Sequence, residues 1–235
     1  MLPAKGGIPL NPKKTCKLHA YSLPDYTKGE EIMNMVTHIT GGALGILALL
    51  LCLYRAITTG NAFDIIGAAI YGTSMIALYA VSSVYHGLRP CTGKKVMQII
   101  DHCTIYFLIA GTYTPIMLSA FVPANPLLGW GLLIAEWSLA ALAVTLTAID
   151  MHRYQVFSMI CYIGMGWGII FFLPHALKLL THSGFLLLLS GGIAYTIGAI
   201  LYGIGSKKRW IHSVFHIFVV IGSILQFFAI LFYVL

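Results

Sequence analysis

Residues 211–235 read IHSVFHIFVVIGSILQFFAILFYVL, with no Asp, Glu, Lys or Arg among them. At about 1.5 Å per residue, a helix of this length crosses the roughly 30 Å hydrocarbon core of a bilayer. The run opens with two histidines, His212 and His216, four residues apart. That spacing turns a helix by about 400°, so the two imidazoles sit roughly 40° apart in rotation and about 6 Å apart along the axis. One ion could touch both, or they could be interfacial or hydrogen-bonded core histidines. The spacing alone leaves both readings open.

Outward from this stretch, six more apolar runs of similar length are predicted at about 35–55, 63–87, 97–121, 127–148, 155–173 and 184–204, with the seventh at about 211–234. The fold class expected is an all-α membrane protein, a seven-transmembrane helix bundle. The whole composition agrees: 59% of the 235 residues are hydrophobic and only 9% charged, too few to solvate the surface of a soluble domain. Residues 1–32 carry Lys5, Lys13, Lys14, Lys17 and Lys28 among prolines and glycines, and are expected to form a flexible or interfacial N-terminal arm ahead of a transmembrane domain at 33–235. The first apolar run starts too late for a signal peptide, so the N-terminus is expected to be retained. No inverted repeat of the transporter kind is visible.

Lys and Arg outnumber Asp and Glu by 14 to 7, but the basic residues fall in short hydrophilic connections, which excludes a nucleic-acid partner in favour of topology. Twelve of the fourteen lie in the arm and in the turns at 88–96, 149–154 and 205–210; only Arg55 and Lys178 lie on the other side. This asymmetry predicts a cytoplasmic N-terminus and an extracytoplasmic C-terminus. The five cysteines show no clustered spacing and read as small apolar fillers or free thiols.

Orientation gives the polar residues within the spans their meaning. His86 ends span two, Asp101 begins span three, and His212 and His216 begin span seven. All four therefore fall within about 10 Å of the cytoplasmic face, and His38, at the start of span one, joins them. Glu31, Asn34 and His38 share one helical face. Rare ionisable groups at a common depth on separate helices are functional candidates.

Three imidazoles with an open fourth position describe a catalytic zinc site, with His86, His212 and His216 as ligands. Asp101 is then placed to hold a water beside the metal and accept its proton. Ser82, one turn from His86, could hydrogen-bond the water, the carboxylate or a substrate carbonyl. The positive end of the span-seven dipole opposes a cation by about 0.3–1 kcal/mol, against about 10–16 kcal/mol of apparent zinc affinity in small structural sites. The ligands dominate.

Other polar features receive plainer readings. Pro115 is expected to remove a backbone hydrogen bond and kink span three. Glu136 must be neutral, paired or water-facing, since a mid-bilayer carboxylate costs at least about 2.5–3.5 kcal/mol, and the sequence offers it no evident partner. His152, His175 and His182 fall in connections and read as solvated. Gly164, Gly166, Gly168, Gly191 and Gly192 are expected to allow close helix packing.

Glu31-x-x-Asn34-x-x-x-His38, Ser82-x-x-x-His86, Asp101 and His212-x-x-x-His216 together resemble the hemolysin III family of bacterial membrane proteins. That family falls in the progestin and adipoQ receptor group, which includes the adiponectin receptors and is more distantly similar to alkaline ceramidases. Asp101-His102-Cys103-Thr104-Ile105-Tyr106 and Ala110-Gly111-Thr112-Tyr113-Thr114-Pro115 look like its bacterial branch. The resemblance implies a seven-helix bundle with a cytoplasmic N-terminus, zinc on His86, His212 and His216, and Asp101 and Ser82 beside it. For the receptor branch it implies ceramidase-like amide hydrolysis, and for the bacterial branch hemolysis and membrane lipid homeostasis. The short arm and near-absent C-terminal tail depart from the receptor branch.

The function expected is a zinc-dependent hydrolase of a lipid amide or ester in the cell membrane, with membrane lipids as partners. The alternatives are a membrane-perturbing cytolysin, or a receptor or transporter with a structural metal in which His38 is the fourth donor.

Overall fold

The computed structural model describes residues 22–205 and 208–235. Most of the N-terminal arm, Cys16 and Lys207 lie outside the described residues. Seven helices long and apolar enough to cross a membrane are present: α1 Lys28–Thr59, α2 Ala62–Gly87, α3 Thr92–Ala124, α4 Pro126–Asp150, α5 Gln155–Leu179, α6 Thr181–Gly205 and α7 Ile211–Tyr233. No strand occurs among the described residues.

Local signals explain where the helices begin and end. Thr27 and Glu30 form a reciprocal capping box at the start of α1, satisfying two backbone N–H groups the helix cannot serve itself. Gly60, at φ 70°, ends α1 in the left-handed region, and the Asn61 side chain accepts the Phe63 N–H at 2.9 Å to start α2. The Asn125 side chain caps α4 ahead of Pro126, a position where the missing proline N–H costs nothing.

α1 packs on α2 and α7, α2 on α3, α3 on α4, and α6 on α7. Large apolar side chains face outward along the spans, among them Leu50, Tyr54 and Ile57 on α1 and Val156, Ile160 and Phe171 on α5, as a lipid-facing wall requires. The interior is closed by Tyr71, Met75 and Tyr79 of α2 against α1 and α7, and by Ile116, Met117 and Phe121 of α3 against α4, α5 and α6.

Several expectations are corrected. The hydrogen bond lost at Pro115 coincides with a π-helical turn at Ile116–Phe121 that hydropathy does not encode, itself a feature at which helices bend, and the span continues to Ala124. The connection expected between spans five and six is only Leu180, because α5 continues through a 3-10 turn at Gly168–Phe172 and a further helical turn that carries His175. His175 and His182 remain exposed. The packing role expected of the span-five and span-six glycines holds only in part. A side chain at Gly168 or Gly191 would meet Glu136 or Gln226, whereas Gly164, Gly166 and Gly192 face open space. Close approaches to a neighbouring helix's backbone fall elsewhere, among them Gly72 against Leu49 and Gly67 against Pro115. Lys94, counted as a turn charge, sits in the first turns of α3 and is 3% exposed. The described cysteines, Cys52, Cys91, Cys103 and Cys161, are free thiols, and only Cys91 is exposed.

Candidate metal centre

His86 closes α2, and His212 and His216 occupy the first two turns of α7. What brings them together is the start of α7, where Trp210 adopts φ 66°, a conformation that costs a non-glycine residue about 1–3 kcal/mol. Its backbone N–H donates to Glu30 Oε1 at 2.6 Å, while Glu30 Oε2 accepts from the Thr27 backbone and hydroxyl. One buried carboxylate thus ties the start of α1 to the start of α7 and offsets that strain.

One ring nitrogen from each of His86, His212 and His216 lies within 4.8 Å of the other two. His212 Nε2 and His216 Nε2 are 2.9 Å apart, near the roughly 3.3 Å expected of two nitrogens each about 2.0–2.1 Å from a tetrahedral ion. His86 Nδ1 lies 2.7 Å from Glu31 Oε2. An ionised carboxylate only accepts, so Nδ1 carries the proton and Nε2 keeps its lone pair. That Nε2 is buried and has no hydrogen-bond partner, and the same holds for His216 Nδ1. A carboxylate behind a histidine whose far nitrogen is left bare is the arrangement that orients an imidazole toward a metal. The donor set fits a divalent transition metal, since imidazole suits zinc, copper, iron and nickel alike.

Around Glu31 the structure adds partners that sequence periodicity did not reveal. Buried Lys94 donates to Glu31 Oε1 at 2.5 Å and to the Leu88 carbonyl at 2.9 Å. The Asn34 amide nitrogen lies 3.5 Å from His86 Nδ1, and its oxygen accepts from Ser213 Oγ at 2.7 Å. The shared face of Glu31, Asn34 and His38 was visible in the sequence; which neighbours it met was not. Since Glu31 holds the His86 tautomer, Glu31→Gln is expected to weaken metal binding by about 10- to 100-fold, measured by competition with a chelator of known affinity.

Ser82 and Asp101 face the same space. Both residues line a cavity of about 160 Å³ together with His38, His102 and His216, and its remaining wall is mainly apolar, reaching Ile116 and Leu188. Gly166 and Gly192 lie on that wall, so their missing side chains keep it open. His38 stacks on His216 with ring centroids 3.8 Å apart, and neither of its nitrogens has a hydrogen-bond partner. It stands outside the group of converging nitrogens. Glu136 takes no part: it lies beside Gly168, with one carboxylate oxygen buried and unpartnered.

Two site residues carried no role in the sequence reading. Tyr26, just ahead of α1, stacks on His212 with centroids 4.9 Å apart; burial pushes its phenol well above its ordinary value, so a neutral ring covers the imidazoles. His102 follows Asp101 in sequence, the one signal that could have marked it, and faces the same cavity.

Residues 26–227 match the sequence model of the family described as Haemolysin-III related. The chain is 40% identical over 206 residues to Hemolysin-3 of Bacillus cereus, covering 88% of this chain and 92% of that protein. To the Hemolysin-3 homolog of Bacillus subtilis (strain 168) it is 39% identical over 208 residues, 88% of this chain and 96% of the other. Similarity to the Monocyte to macrophage differentiation factor of Homo sapiens is weaker, 29% over 164 residues, 66% of this chain and 60% of that protein.

Proposed function

The chain belongs to the haemolysin-III related family of multi-pass membrane proteins, and we propose that it is a zinc-dependent hydrolase of a lipid amide or ester, acting in membrane lipid homeostasis. The observation that carries this reading is that His216, one of the three converging imidazoles, lines a mainly apolar cavity together with Asp101 and Ser82. When bound, the metal supplies the Lewis acidity that attack on an amide or ester carbonyl requires. The chain's own residues do the rest. Asp101 accepts the proton of the attacking water and later returns it to the leaving group. Ser82 supplies a hydroxyl on the same cavity wall to orient the carboxylate or the substrate carbonyl. The apolar cavity holds the acyl chain and excludes bulk water, and the Tyr26 ring closes the site from the side of the N-terminal segment.

The charge asymmetry of the connections supports a cytoplasmic N-terminus, and on that reading the site lies at the inner leaflet. The transmembrane domain at 33–235 then contributes every proposed ligand, His86, His212 and His216, and both Asp101 and Ser82, while the 1–32 arm contributes Tyr26. The test is a lipidomic comparison of membranes from cells carrying wild type and Asp101→Ala, paired with metal analysis of both proteins. A membrane-perturbing role has in its favour the name Hemolysin-3 borne by the Bacillus cereus relative. Dye leakage from liposomes that survives removal of the histidine ligands would select that role instead.

A further inference from the structure

A second chamber of about 610 Å³, more polar than the first, adjoins the apolar cavity, and His102, Met159, Tyr162 and Tyr202 line both. Asp25, Gln98, Gln155 and Lys208 are among the other groups facing this chamber. The shared residues therefore form a collar where an apolar compartment gives way to a polar one. An amphiphile that keeps its chain in the first and its head in the second must pass its junction through this collar.

Hydrogen bonds fix what the collar can offer. Tyr162 Oη donates to the His102 carbonyl at 2.9 Å. His102 Nδ1 lies 2.8 Å from the Gln98 carbonyl and Nε2 lies 2.9 Å from Tyr202 Oη. A carbonyl only accepts, so Nδ1 carries the ring proton and Nε2 is an acceptor. The Tyr202 hydroxyl must then donate to Nε2. With its one proton committed, the phenolic oxygen has only lone pairs left for whatever occupies the collar.

We propose that Tyr202 is a specificity-determining residue of this site, selecting lipids whose polar junction presents an N–H donor over those that present an oxygen at the same point. An amide N–H satisfies the phenolic lone pair, whereas an ester oxygen sets lone pair against lone pair at a half-buried site, where an unmatched polar group carries a cost. The inference rests on the reading of the site as one that takes a lipid carbonyl, and it decides between the two substrate classes which that reading leaves together. His102 is a positioning residue here: it acts by holding the Tyr202 proton.

The test is binding of N-ethyldecanamide and ethyl decanoate, which share a chain and differ at N–H against O, to the full-length metal-loaded protein in lipid nanodiscs. Binding is read by displacement of a fluorescent fatty-acyl probe. Wild type is expected to bind the amide about tenfold more tightly than the ester. Tyr202→Phe is expected to bring the ratio to near one. His102→Phe, which frees the phenolic proton to donate into the collar, is expected to move the preference toward the ester. Equal affinities in wild type would overturn the proposal without any variant. So would a ratio that Tyr202→Phe leaves unchanged while both affinities fall together, the mark of a packing role only. Release of ethylamine is followed separately, so a protein that prefers the amide but does not cleave it supports the collar and counts against the hydrolase.

Discussion

His212→Ala is expected to abolish metal retention: wild type should hold about one ion per chain after dialysis against a moderate chelator, and the variant less than about a tenth. Three imidazoles are the whole protein contribution to the proposed centre. Loss of an outer partner alone costs about 10- to 100-fold in affinity, so loss of a direct ligand must cost more than about 100-fold. His212 is the informative choice because it is only half-buried, whereas His86 and His216 are each 2% exposed. Alanine is also the best helix former, so α7 should keep its register. Inductively coupled plasma mass spectrometry of the purified protein gives the result, and lipid turnover should disappear with the metal. Metal retained at wild-type level would remove His212 from the ligand set. Unchanged turnover in a metal-free variant would sink the hydrolase reading.

Asp101→Ala should separate chemistry from metal binding. Asp101 is absent from the group of converging ligand atoms, so metal content should stay near that of wild type. Turnover should fall by about 10²- to 10⁴-fold, the usual contribution of a positioned general base. Ser82→Ala should cost less, since its hydroxyl only shares the cavity wall with Asp101 and water can replace it. A membrane lipid composition identical in cells carrying wild type and Asp101→Ala would argue that the centre is structural.

Much of this arrangement was legible in residue order. Helical spacing fixed the relation of His212 to His216, and the count of spans brought His86 and Asp101 to the same end of the bundle. Those inferences need only rise, rotation and alternation, which sequence reports directly. What stayed hidden depends on which faces pack together. Glu31 could be placed on the face of Asn34 and His38, but nothing in its spacing says that α1 turns that face to His86. Lys94 read as a loop charge because a lysine near a turn is ordinarily solvated; the half-buried Glu31 carboxylate opposite it makes its burial tolerable. The role of His102 follows from its tautomer, set by the carbonyl of Gln98 one turn earlier and by Tyr202 one hundred residues later. The π turn after Pro115 and the single-residue link at Leu180 are local backbone solutions that hydropathy does not encode.

The most direct test of a three-histidine centre is X-ray absorption at the metal edge of the purified full-length protein, where imidazole multiple scattering counts the histidines. The expected spectrum has three imidazole nitrogens at about 2.0–2.1 Å and a lighter non-imidazole scatterer completing the shell. Four imidazoles, with His38 drawn in from its place against His216, would describe a closed structural site and contradict the account, as would a protein that binds no metal at all.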